Sequence, residues 1–311
     1  MRQSITRSPA EIARLRKARL EALERVGERP NLVGSMIGLK YRGGLRRKSV
    51  GLTLFVTEKV PEKELSPRHR IPKKIKTTAG TLNTDIVVWR PMVEQGLEQA
   101  TLMYDGSRQG TLTCFGLRSD NGFGVSCAHC IAGDDRNPAT PTIVEMWDAQ
   151  NRQWLKAGKS LYAVYSPGPG EPGNFGYVDC GFFSLRDDGL ITRARNAKRL
   201  RTVKNLYELL DQQLTGRSSL DPKGVNDPSR IARVIGVEME ALDGNCDVVL
   251  EVEFPGTFKG DSGMLWLTSA GKAAAIHARG EKTQEGRGSS LVTAMSAARA
   301  ADYLQVDLAY G

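Results

Sequence analysis

The chain has 311 residues, 40% of them hydrophobic, enough for one large or two modest domains with a real core. No run of about eighteen apolar residues occurs, which excludes a membrane-spanning helix, and 33 glycines with only 6% aromatic residues fit a turn-rich β protein. The net charge of +9 is uneven: residues 1–100 hold 21 Lys and Arg against 10 Asp and Glu, and the rest hold 23 against 25.

The basic excess therefore belongs to the N-terminal third. It reads as a solvated face or as a docking surface for an activating protein or an acidic ligand. The lysines between Pro72 and Thr77 have no aromatic residue among them, which argues against nucleic acid as the partner. Ser8-Pro9-Ala10-Glu11 is a capping box with Pro at the first helical position. Ile12, Leu15, Leu23 and Val26 share one face of the helix that follows, which should end near Gly27. The first thirty residues are charged and helix-patterned and lack a signal peptide's apolar core, so a cytoplasmic protein is expected.

Residues 1–95 are expected to form this helix and a small basic, strand-rich module. Leu32 to Leu39 and Ser49 to Thr57 are strand candidates joined at Arg42-Gly43-Gly44, Lys59 to Lys76 is a loop or short helix, and Asp85 to Trp89 is a further strand. Residues 96–311 form the second predicted unit. Its strands are Thr111 to Leu117, Gly122 to Ser126, Thr142 to Trp147, Trp154 to Ala157 and the run opened by Asp179. Asp148 to Asn151 is a predicted hairpin turn. Ser166 to Asn174 is a Pro/Gly breaker cluster and must be loop. Arg193 to Lys204 reads as a basic surface run, and Val203 to Leu214 as helix. Ile231 to Ala241 and Asp247 to Phe254 make a hairpin around Asp243-Gly244. Met264 to Leu267 and Lys272 to Ala278 are the last strands, and Leu291 to Leu304 is an Ala-rich closing helix.

One stretch carries chemistry, Thr257-Phe258-Lys259-Gly260-Asp261-Ser262-Gly263-Met264. Gly260 and Gly263 let the main chain bend without a Cβ clash, so neighbouring amides converge beside an exposed serine hydroxyl. A serine nucleophile needs a base, and the chain has three histidines. His69 lies in a cationic loop with no adjacent carboxylate. His129 ends a strand, in Ser126-Cys127-Ala128-His129-Cys130, and His277 lies in a later strand.

Ser126 to Cys130 resembles the histidine motif of trypsin-like, chymotrypsin-fold serine proteases, Tyr177 to Leu185 their aspartate strand, and Gly260-Asp261-Ser262-Gly263 their serine motif. The order His, Asp, Ser is also theirs. The resemblance implies a mostly β, chymotrypsin-like double barrel. It implies a serine endopeptidase with His129, Asp179 and Ser262 as triad and the amides of Gly260 and Ser262 as oxyanion hole. No cofactor and no metal is implied; Cys127-x-x-Cys130 has no second pair to complete a zinc site. The N-terminal extension resembles, more loosely, that of leaderless bacterial relatives, some of which cleave a dedicated partner such as a gasdermin in antiphage defence.

The same resemblance places Gly256 and Thr257 on the primary pocket, where no aspartate stands to select Lys or Arg. Ile276-His277-Ala278-Arg279-Gly280 is similar to a strand of glutamyl endopeptidases and viral relatives, so His277 with Arg279 is expected to read an acidic or amide side chain. The alternative for His277 is a satisfied strand histidine. Cys114 and Cys130 match the pair bridged in secreted relatives; with five cysteines and no leader, thiols are expected. No cleavage-ready N-terminus exists to pair with Asp261. That carboxylate must be neutralised internally, by an Arg, or the site stays disordered until a partner engages the N-terminal module. The expectation is a regulated protease with a specific protein substrate. A catalytically silent scaffold binding a protein or nucleic acid is the competing reading.

Overall fold

The computed structural model describes residues 8–27, 29, 31–42, 45–94, 102–104, 108–119, 121–132, 141–148, 153–166, 178–218, 229–241, 244–284 and 287–310. The first helix, Pro9–Val26, starts on the predicted capping box: Ser8 Oγ accepts from Glu11 N at 3.2 Å and Glu11 Oε2 from Ser8 N at 2.9 Å. Its buried stripe of Ile12, Ala18, Ala22 and Val26 joins the interior of the barrel described next, with Leu15 and Leu23 packed beside it. Gly27, at φ +62°, ends it.

Six strands close on themselves in the order Gln213–Arg217, Leu265–Thr268, Ala273–Glu281, Leu291–Ser296, Cys246–Val252 and Ser229–Ala241, the last pairing back onto the first. Ser229–Ala241 is too long for one neighbour. Its first five residues pair with Gln213–Arg217, while Gly236 to Ala241 pair with Leu32–Arg42. The sheet therefore runs on from the barrel into Leu32–Arg42, Leu45–Val56, Gly80–Val88 and Lys74–Thr77.

A second, nine-stranded sheet holds, in order, Lys198–Arg199, Asp307–Tyr310, Cys114–Arg118, Asn121–Ser126, Val178–Leu185, Gln153–Ser166, Ile143–Asp148, Leu102–Tyr104 and Arg108–Gly110. Its core residues Val125, Val178, Cys180 and Phe183 share one buried cluster with Leu265, Ile276, Ala278 and Met295 of the barrel. The protein is mostly β, with a six-stranded barrel, a second sheet and an N-terminal helix.

Several local expectations need correction. Leu291 to Leu304 is a strand, Leu291–Ser296, followed by a helix, Ala297–Leu304, whose N-cap Ser296 accepts from Arg299 N. Val203 to Leu214 is not an α-helix. A short 3-10 turn, Leu206–Leu209, leads to Asp211 at φ +66° and then into Gln213–Arg217. The basic run near Arg193 ends a helix, Asp188–Asn196, capped by Asp187 on Leu190 N at 2.8 Å. Thr111 to Thr113 precede their strand, and Trp154 belongs to a strand running to Ser166. The Pro/Gly cluster beyond Ser166, and parts of the turns predicted at 42–44, 148–151 and 243–244, lie outside the described residues.

Candidate active site

Strand register brings His129 to Asp179. Ser126 pairs with Gly181 in antiparallel sense, so Asp179 lies level with the chain two residues past Ser126. There the backbone turns into the short helix Ala128–Ile131. His129 N donates to Asp179 Oδ1 at 3.0 Å, and the ring Nδ1–H donates to Asp179 Oδ2. Two bonds to one carboxylate fix the ring plane and its tautomer. Burial alone would favour the neutral ring, but Asp179, with the neighbouring Cys130, outweighs it and holds the His129 pKa well above its ordinary value.

Ser262 sits on a turn that glycine permits. Gly260 has φ +100° and Gly263 φ +92°. A Cβ at Gly263 would stand 2.2 Å from Thr111 O, so the turn lies directly against the second sheet. Thr111 N donates to Ser262 O at 2.7 Å, Thr111 Oγ1 to Gly260 O at 2.8 Å and Thr113 Oγ1 to Gly263 O at 2.5 Å. From the other side, Gly263 N donates to His277 O and His277 N to Met264 O, both at 2.8 Å. The serine turn is thus pinned between the two sheets beside the His129 helix, whose Cys130 Sγ lies 4.0 Å from Ser262 O. Ser262 Oγ donates to Ala278 O at 2.9 Å, while His129 Nε2 is buried without a hydrogen-bond partner. The hydroxyl and the imidazole are therefore not joined here. Ser262, His129 and Asp179 are all buried, at 0%, 1% and 0% exposure.

Asp261 finds the internal counter-ion that its position demands. Arg230 Nε lies 3.2 Å from Asp261 Oδ2 and Arg230 Nη2 3.5 Å from Oδ1. Ser218 Oγ donates to the same carboxylate, as does Phe258 N at 3.0 Å. Burial pushes the Asp261 pKa up, and Arg230 with the two hydrogen bonds pulls against it. Sequence reasoning called for an Arg without finding which. Arg230 is 31 positions upstream, and only the register of Ser229–Ala241 points it at the serine turn.

The expected pocket residues are placed differently from one another. Gly256, at φ +87°, and Thr257 run beside Ser289, with Thr257 N donating to Ser289 O at 3.0 Å and Ser289 N to Thr257 O at 2.7 Å. His277 is wholly buried, edge-on to the Trp266 ring at 6.2 Å, and burial lowers its pKa to about 3. Burial thus favours its neutral form. A bulge separates it from Arg279. His277 feels the charges of His129 and Arg230, whereas Arg279 lies by Cys246.

All five cysteines are buried free thiols, Cys114 and Cys130 included. Cys127, His129 and Asp179 offer ligand atoms within 4.8 Å of one another, the one such cluster among the described residues. The Nδ1 and the carboxylate are already committed to each other, so a cation there would have to break that bond.

No protein-family model matches the sequence, and no curated protein matches it. Comparison of structures does find neighbours. They are chymotrypsin-fold serine proteases. Thermobifida fusca Protease A is 12% identical, with a TM-score of 0.43 over 69% of this chain and 98% of its own. The HtrA-type protease AlgW, solved with a decapeptide, is 15% identical, with a TM-score of 0.40 over 64% of this chain and 51% of its own. A glutamic acid specific serine protease that uses a histidine triad in substrate binding is 16% identical, with a TM-score of 0.36 over 67% of this chain and 97% of its own.

Proposed function

We propose that the chain is a serine endopeptidase of the cytoplasm and that this conformation is its resting state. The observation that carries the reading is the convergence of a carboxylate-oriented histidine and a serine on a glycine turn. In the working state Ser262 Oγ leaves Ala278 O and rotates to His129 Nε2. His129 takes its proton as the hydroxyl attacks a peptide carbonyl, and later gives it to the leaving amine. Asp179 stabilises the imidazolium, and the raised basicity of His129 suits it to hold that proton. The Gly260 and Ser262 amides receive the oxyanion, and Arg230 keeps Asp261, and so the turn between them, in place.

Gly256, Thr257, His277 and Arg279 form the proposed specificity surface, for an acidic or amide side chain. The burial of the triad supports regulation by a protein or acidic ligand acting on the basic N-terminal elements. The finest layer of the proposal is one dedicated protein substrate, such as a gasdermin-like effector cut in bacterial defence, and it rests on resemblance. The Ser262 to Ala278 bond also favours a second reading, a silent protease scaffold.

Covalent labelling by a fluorophosphonate separates the two. We expect label on Ser262 of the wild-type chain, none in Ser262→Ala, and a fall on the order of a thousandfold in His129→Ala. Label on His129→Ala at the wild-type rate refutes the enzyme.

A further inference from the structure

The His129 helix carries two thiols that this chemistry does not use. Cys127 caps it, and Cys130 N donates to Cys127 O at 3.1 Å. Such an i to i+3 turn brings its end Cα atoms within about 7 Å, which overlaps the span a disulfide bridges. Each thiol perturbs the other, Cys127 being raised and Cys130 lowered from the ordinary thiol value. Both also face the barrel: Cys127 Sγ donates to His277 O at 3.2 Å, and Cys130 Sγ stands 4.0 Å from Ser262 O. Those carbonyls belong to the serine and to the residue whose main chain pins the serine turn.

We propose that Cys127 and Cys130 are a redox-active dithiol that closes to a disulfide beside His129 and, in closing, unseats the serine turn. A disulfide has no S–H, so the donor to His277 O is lost and Cys130 is drawn away from Ser262 O. Other pairings fit less well. Burial pushes the Cys114 pKa up to about 12, and burial likewise raises Cys180 and Cys246. For Cys130 burial acts upward too, but the Cys127 thiol and His129 pull it down to about 6, so Cys130 is the more readily ionised thiol of the pair.

The oxidant is a hydroperoxide. The Cys130 thiolate attacks the terminal peroxide oxygen; the O–O bond breaks, an S–O bond forms, and the alkoxide leaves as alcohol with the thiol proton. The Cys127 sulfur then attacks the sulfenic sulfur; S–S forms, S–O breaks, and hydroxide leaves with the Cys127 proton as water. Two electrons pass from sulfur to the peroxide, and a thiol reductant reverses the change.

The disulfide is independent of the protease reading; its effect on Ser262 rests on it. The test treats the folded full-length chain with hydrogen peroxide, alkylates it after denaturation and maps it with trypsin. Residues 119–136 form one tryptic peptide containing Cys127 and Cys130 and no other cysteine. We expect that peptide to lose two hydrogens, to regain them with dithiothreitol, and the oxidised chain to be labelled by fluorophosphonate roughly tenfold more slowly. Cys127→Ser and Cys130→Ser should each abolish both changes. The wild-type map needs no variant to fold. Peptide 119–136 cross-linked to peptide 109–118, two thiols that stay alkylatable, or Cys130 driven to sulfinic acid with Cys127 free would each overturn the dithiol. A disulfide that leaves labelling unchanged overturns the switch. A reduced chain that takes no label is the result expected of the silent scaffold or of a protease that needs its activator, and the peptide map then decides the disulfide by itself.

Discussion

Replacing Arg230 by Met keeps the bulk of the side chain and removes its charge. Arg230 and Asp261 are 1% and 0% exposed, so neither is stabilised by water. At 3.2 Å and an effective dielectric of about 20 their attraction is about 5 kcal/mol. Breaking one partner of a buried pair costs about 3–5 kcal/mol, because the other charge is stranded. Asp261 would keep Ser218 Oγ and Phe258 N, which places the loss near the lower figure. The stranded carboxyl can escape by binding a proton. Its folded pKa then lies above its unfolded value, the folded chain holds the extra proton, and stability falls as pH rises through that interval. Urea unfolding of Arg230→Met should show a small deficit near pH 4.5 and about 3 kcal/mol at pH 8. Arg230→Met with Asp261→Asn should recover most of it. A deficit below about 1 kcal/mol at pH 8, or a double variant no better than the single one, refutes this account of Arg230.

Three other perturbations test different parts of the structure. With a folded pKa of about 3 against about 6.5 unfolded, His277 makes stability fall as pH drops below 6.5, by about 2 kcal/mol at pH 5. His277→Gln should flatten urea midpoints between pH 5 and 8, and unchanged steepness would be a failure. Gly263→Ala pushes a Cβ to 2.2 Å from Thr111 O at φ +92°; a loss of about 3 kcal/mol by denaturation is expected, and a loss under 1 would contradict the packing. Glu238 is buried, and its carboxylate accepts from Arg16 Nε and Tyr207 Oη, both at 2.7 Å, whereas Arg16 is 44% exposed. Arg16→Met, which strands the buried acid, should therefore cost about 3 kcal/mol and Glu238→Gln about 1, measured side by side; the reverse order would refute it.

What the sequence revealed tracks what is local. Ser8 and Glu11 cap a helix three residues apart, and Gly260 and Gly263 bend a turn within four, so both were legible. The pairing of His129 with Asp179 was legible through the motifs that hold them. Helical spacing misled where tertiary pairing decides: Leu206, Leu209 and Leu210 recur like a helix face, but Asp211 and the ladder to Arg233 and Thr268 make that stretch end in a strand. Leu291 to Leu304 hid its break because alanine suits both states, and Ser296 was the cap signal within it. Arg230 was beyond reach in principle, since its partner depends on a register that no local pattern encodes. The same holds for Thr111, whose amide and hydroxyl hold the serine turn.

The strand Ser229–Ala241 has a practical consequence. A shortened chain begun at residue 96 would lack Leu32–Arg42 and leave the far half of that strand as an open edge, with Ile235 and Met239 stripped of Val33, Met36 and Phe55. Unpaired main-chain donors and acceptors beside fresh apolar surface recruit another copy. Such a fragment should self-associate edge to edge, and light scattering of the trimmed protein would show growth with concentration that the intact one lacks.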